Sequence, residues 1–265
     1  MVWSKPDAAT GNLSQSYGPH DEFKAPANQT RPQPRRIVGL VIWGGLLSGL
    51  LAFGLGEPLY KIIRPELEPR DLMGNKIMVP SQTTQRVAAI KNAALAFGVL
   101  GLCLAGFLGV AGGLALRPMS SASRGGLVGA LLGLALGAGA PIAVLPFTMV
   151  AQLDYPEHEL ILSLAAHALS WGVWGASAGL AFAIGQGERH LIGTAVMAGL
   201  AGAALGAIAF EFIGATFFGL AETTHPISAT PLTRLMARLL VTVGTATAVA
   251  MILPSETKGR GRPAG

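Results

Sequence analysis

The sequence predicts an all-α fold: a polytopic membrane protein, built as a six-transmembrane-helix bundle with glycine-zipper packing. Three observations lead there. Six mostly apolar stretches, at about 37–56, 92–116, 125–150, 160–185, 191–221 and 232–253, are each long enough to cross a bilayer, which takes about 20 apolar residues. Charged residues make up only 12% of the chain, against about a quarter in soluble domains. Glycine, at 36 of 265 residues, is roughly twice its usual share, and most of it lies inside the apolar stretches.

Residues 1–34 are polar and carry Pro6, Pro19, Pro26, Pro32 and Pro34. They bury too little apolar surface to offset the entropy of ordering, so a disordered cytoplasmic tail is expected. No apolar core precedes a small-residue cleavage site, so this is not a signal peptide; span 1, after Arg35 and Arg36, can act as an uncleaved anchor. The six-span domain is placed at 35–254, with an extracytoplasmic loop at 57–90 and a cytoplasmic C-terminal tail at 255–265.

Within the loop, Pro58, Pro65, Pro69 and Pro80 mark short pieces, and Leu59, Ile62 and Ile63 are spaced for one face of a short helix. Ser81 is placed to cap a helix running through Val87 and Lys91 into span 2. Spans 2–3 and 4–5 read as a tandem hairpin repeat. Gly109 and Gly113 match Gly175 and Gly179 at a spacing of 66, and Leu127 and Gly129 match Leu191 and Gly193 at 64.

Basic residues cluster beside the spans, where they set orientation rather than bind nucleic acid. Lys5, Lys24, Arg31, Arg35 and Arg36 precede span 1, Arg117 and Arg124 fill the 2–3 turn, Arg189 the 4–5 turn, and Lys258, Arg260 and Arg262 the C-terminal tail. The 3–4 turn has none. Both termini are therefore expected in the cytoplasm, with the chain in a plasma (inner) membrane. The 1–2 loop, with Lys61, Arg64, Arg70, Lys76, Arg86 and Lys91, runs against that rule.

Span 3 opens on Gly125, Gly129, Gly133 and Gly137 at strict four-residue spacing, a flat stripe on a helix. In lipid, helices associate through close backbone approach, which such residues permit. Gly175 and Gly179 in span 4 and Gly202 and Gly206 in span 5 read as further helix-packing positions. Pro141 and Pro146 lie later in span 3, where each removes a backbone donor and a kink or local break is expected.

Three ionisable residues lie within apolar sequence: His167 in span 4, Glu211 in span 5 and Arg238 in span 6. Counted at 1.5 Å per residue from the outer ends of their spans, all three reach similar depth, roughly 9–15 Å. A lone charge in lipid is costly, so Glu211 is expected to pair with Arg238, with Gln152 and Arg234 extending the cluster toward the surface. Its functional reading is a proton- or ion-linked site in which Glu211 titrates, Arg238 tunes it and His167 relays. Its plain reading is an ion pair that docks the helices. Trp171 and Trp174, on the same span as His167, are read as packing residues.

Reaction motifs fail on inspection. Gly175-Ala176-Ser177-Ala178-Gly179 matches the nucleophile-elbow pattern, but that motif needs a strand-to-helix turn, and this one is mid-helix. Comparison with rhomboid intramembrane proteases breaks down because span 6 has no histidine to serve as base. His158-Glu159 starts a zinc-protease pattern, but Leu162 stands at the second histidine position. Carboxylates and imidazoles at Asp154, Glu157, His158, Glu159, Glu222 and His225 share one face, and solvated turns and helix starts explain them as well as a cation does. The lone Cys103 excludes an internal disulfide and multi-thiolate zinc sites.

No catalytic residue, metal ligand or cofactor is therefore assigned. The expected partners are the lipid bilayer and either a membrane-protein partner or a second copy of the chain, not nucleic acid. Function is expected to be that of a non-enzymatic membrane scaffold or complex subunit. The alternative is a small-solute or ion transporter or channel using His167, Glu211 and Arg238, and a lesser one is a lipid-modifying membrane enzyme.

Overall fold

A computed structural model describes residues 34–73, 75–116, 119–154, 159–217, 228 and 230–259. The expected N-terminal tail lies outside the described residues apart from Pro34, and the C-terminal tail lies outside them beyond Gly259. The order is α1 (Pro34–Gly56), a 3-10 turn (Glu57–Lys61), β1 (Leu67–Leu72), β2 (Asn75–Pro80), α2 (Gln82–Leu116), α3 (Met119–Asp154), α4 (Glu159–Gln186), a second 3-10 turn (Arg189–Leu191), α5 (Ile192–Phe217) and α6 (Pro231–Gly259). All six helices are long and apolar enough to cross a membrane. In hydrocarbon a helix satisfies its own backbone, so long apolar runs have few other ways to fold.

Helices α2 and α4 form the centre, each with 67% of its most apolar window buried, whereas α1 and α3 bury 33% and 28%. The pair α2–α3 makes the most extensive interface, followed by α4–α5; α2 also packs on α4, α5 on α6, and α6 on α1. Leu127 and Leu131 on α3 turn away from the bundle and are exposed, as side chains meant for lipid would be.

Many interfaces close on glycine. Added side-chain carbons at Gly101 and Gly133 would strike each other's backbone across α2–α3, as they would at Gly109 and Gly125. Gly175 meets Gly199, and Gly179 meets Ala195, across α4–α5. A Cβ on Gly202 would lie 2.5 Å from the Gly244 carbonyl oxygen, and one on Gly206 2.5 Å from that of Leu240, across α5–α6. Gly109, Gly125 and Gly185 bring α2, α3 and α4 to one three-way backbone contact, at the end of the bundle away from the β-hairpin.

The two helical hairpins do not superpose in the register that their sequence matches suggest. Gly109 faces Gly125, so spacings of 66 and 64 would set Gly175 against residue 189; it faces Gly199 instead. The glycine matches therefore reflect a shared composition rather than equivalent places.

Two further expectations change. The 57–90 loop contains an antiparallel ribbon, with Leu67 opposite Pro80 and Leu72 opposite Asn75, and Met73 at the turn with a φ of 54°. Its prolines had been read as breakers, but a ribbon of two strands is all edge, where proline's missing donor costs no ladder bond. The segment with Leu59 and Ile62 forms one 3-10 turn rather than a surface helix. Ser81 does cap α2, its hydroxyl accepting from the Thr84 amide at 3.2 Å. Helix α3 continues through both Pro141 and Pro146 without interruption.

Candidate functional site

The half of the bundle nearer the hairpin holds the buried ionisable residues His167, Glu211 and Arg238, while at the opposite end the Gln186 side chain is buried with neither its Oε1 nor its Nε2 hydrogen-bonded. His167 on α4 and Glu211 on α5 are both buried, and the His167 Nδ1–H donates to Glu211 Oε1. In a neutral imidazole that leaves Nε2 as an acceptor.

Arg238 on α6 is 1% exposed. Its Nη1 donates to the Ala52 carbonyl of α1 at 2.5 Å, and its Nη2 to the Tyr60 hydroxyl at 3.0 Å. The guanidinium also sits over the rings of Phe53 and Tyr60, 5.7 and 5.5 Å from their centres. Its Nε has no hydrogen-bond partner. The predicted Glu211–Arg238 ion pair is thus not formed: the carboxylate takes the histidine, and the arginine turns to the last turn of α1. Depth was readable from the sequence, but the side of each helix that meets its neighbour was not.

One turn earlier on α6, Arg234 is held by Glu57. Its Nε donates to Oε2 at 3.0 Å, its Nη2 pairs with Oε1, and its Nη1 donates to the Ser228 carbonyl at 2.7 Å. Nearby, the Asn92 amide accepts from the Ile63 N–H and donates to the Ile63 carbonyl, both at 2.9 Å. That two-way bond ties the chain after the 3-10 turn to the start of α2.

Between these groups lies a cavity of about 20 Å³, lined by Tyr60, Phe97, His167, Trp171, Phe210, Arg234 and Arg238, with Ala207, Ala237 and Ser228. That is room for about one ordered water. One wall is aromatic: Phe97 stacks on Trp174 at 4.5 Å and meets Trp171 edge-on at 5.7 Å. Trp171 thus reaches the cavity, while Trp174 is fully buried behind it. Glu211 is not itself among the lining residues and communicates with the cavity through His167.

The Ser177 hydroxyl is buried and donates to the Trp174 carbonyl at 2.7 Å, a bond within its own helix. Among the described residues no three His, Cys, Asp or Glu side chains gather as a metal site. Glu157, His158, Glu222 and His225 lie outside the described residues, as do the side chains of Gln152, Asp154 and Glu159.

Sequence reasoning missed Glu57, Tyr60, Asn92 and Phe97. Glu57 and Asn92 sit at span boundaries, where polar residues are routine, so only their partners reveal them. Comparison of the chain with protein families, characterised proteins and solved structures finds no match.

Proposed function

We propose that this integral membrane protein binds and passes a small solute or ion, with the Tyr60–His167–Arg238 cavity as its binding site and no enzymatic step. The observation that carries the reading is the cavity itself, where four ionisable side chains, Tyr60, His167, Arg234 and Arg238, meet an aromatic wall inside an otherwise apolar bundle. Intramembrane ionisable residues in such a place mark solute or proton paths. In the proposed orientation both termini are cytoplasmic and the membrane is the plasma (inner) membrane. The hairpin end then faces outward and the cavity opens from that side. The glycine contacts serve as a glycine zipper that fixes the helix spacing around it.

This reading displaces docking on glycine faces, because Gly125, Gly129, Gly133, Gly137, Gly175, Gly179, Gly202 and Gly206 are all spent on contacts inside the chain. A scaffold reading keeps one support, the exposed β-hairpin, whose two strands pair only with each other.

The test is access. In a Cys103→Ser background, a cysteine replacing Ala237 should react with a membrane-impermeant thiol reagent added from the hairpin side. Protection from both sides would sink the proposal, and a stoichiometric partner in native mass spectrometry would then favour the scaffold.

A further inference from the structure

We infer that the ion this site binds is the proton: a water in the cavity hands it to His167 Nε2, and the Nδ1 proton moves on to Glu211. This rests on the ion-binding reading above and names the ion.

At about 20 Å³ the cavity takes about one water and no larger solute. A water held there needs polar partners, and two are placed for it. The Tyr60 hydroxyl oxygen accepts from Arg238 Nη2, which leaves its own O–H to donate. His167 lines the cavity while Glu211, bonded to its Nδ1, does not, so the ring reaches from the cavity wall to the carboxylate. Among the described residues the sealed nitrogens without a partner are Trp174 Nε1, Gln186 Nε2 and Arg238 Nε. His167 Nε2 is not one of them, and it is the ring atom left to accept from the water.

A proton arriving on the water joins Nε2 as the Nδ1 proton passes to Glu211 Oε1. Histidine ends neutral, as the other tautomer, and Glu211 ends as a neutral acid. Before the step the Glu211 carboxylate offsets the Arg238 guanidinium, and Glu57 offsets Arg234; after it, the site carries one more positive charge. The other titratable groups turned toward the pair, among the described residues, are Tyr60 and, in the same core, the Cys103 thiol of α2; α1 and α3 bring none to this half. Beyond Glu211 the path stops. Ser177, Thr242 and Thr245 donate to carbonyls of their own helices, and no other described imidazole or carboxylate is buried. Loading the proton and passing it across the membrane are therefore separate events.

The full chain, in nanodiscs of neutral phosphatidylcholine, would be stepped from about pH 8 to about pH 4 while infrared difference spectra follow the carboxylic-acid C=O stretch. A band that Glu211→Gln abolishes is expected; should that variant fail to fold, Glu211→Asp should shift it. After a pH jump, His167→Gln, whose amide can hold Glu211 but cannot relay, should slow the rise of the band by about tenfold or more. Should His167→Gln fail to fold, Tyr60→Phe, which keeps the ring and removes the donor, should slow it likewise. Absence of a Glu211 band, or an unchanged rise in the folded relay variant, overturns the inference. A band that forms without proton flux into proteoliposomes under an imposed pH gradient overturns passage and leaves the proton site standing. Potassium or chloride carried while Glu211 never titrates does the reverse.

Discussion

Replacing Gly133 with alanine tests one of the tightest backbone contacts. The added carbon would lie 2.5 Å from the Gly101 carbonyl carbon and 2.8 Å from Ala105 Cβ, where ordinary contact begins at 3.4 Å. The obstacle is backbone, which has no rotamer to escape into, so α3 must back away from α2 by roughly 1 Å. A gap of that size forfeits a quarter to a half of each neighbouring dispersion contact. It would also loosen Gly129 and Gly137, which share the interface. Overpacking of this kind costs about 2 kcal/mol, or about 4–8 °C in Tm for a chain of this size. Gly139 on the same helix has nothing within 4 Å of its Cβ position. Gly139→Ala should therefore be neutral or stabilise by up to about 1 kcal/mol through helix propensity alone. Thermal unfolding in one detergent, followed by size-exclusion chromatography, compares the two. Equal melting of Gly133→Ala and Gly139→Ala would refute the reasoning.

The remaining predictions concern polar links. Glu211→Gln and His167→Leu, measured singly and together, should show a coupling energy of about 1–3 kcal/mol; simple additivity would mean the hydrogen bond contributes nothing. Asn92→Ala removes both bonds to Ile63 and should cost about 1–2 kcal/mol. It should also speed hydrogen exchange in residues 59–66, and unchanged exchange there would show that the amide is no latch. Ser81→Ala should lose about 1 kcal/mol by uncapping α2, and an unshifted melting curve would mean that Thr84 has found another acceptor.

Six helices were legible because lipid leaves apolar runs little alternative, and the rough depth of His167, Glu211 and Arg238 followed from counting along them. Partner choice was not legible. It depends on which way each helix is rotated, and helices apolar all round carry no stripe that would say so. Hence Glu211 was expected on Arg238 and is found on His167. The hairpin stayed hidden for another reason: Pro69 and Pro80 argue against a central strand but not against a two-stranded ribbon. Glu57 and Asn92 gave no signal beyond being polar at a membrane edge, since their meaning lies in Arg234 and Ile63.

The adjacency of α1 and α6 sets a timetable for biogenesis. The bond from Arg238 to Ala52 joins residues 186 apart, so the first helix is made long before its last neighbour exists. At about 5–20 residues per second, α1 waits on the order of 10–40 s for α6. During that interval Gly45 and Gly49, later covered by Thr242, lack their final cover. Until then that face can meet lipid instead, and the α1–α6 interface closes only once α6 has left the ribosome.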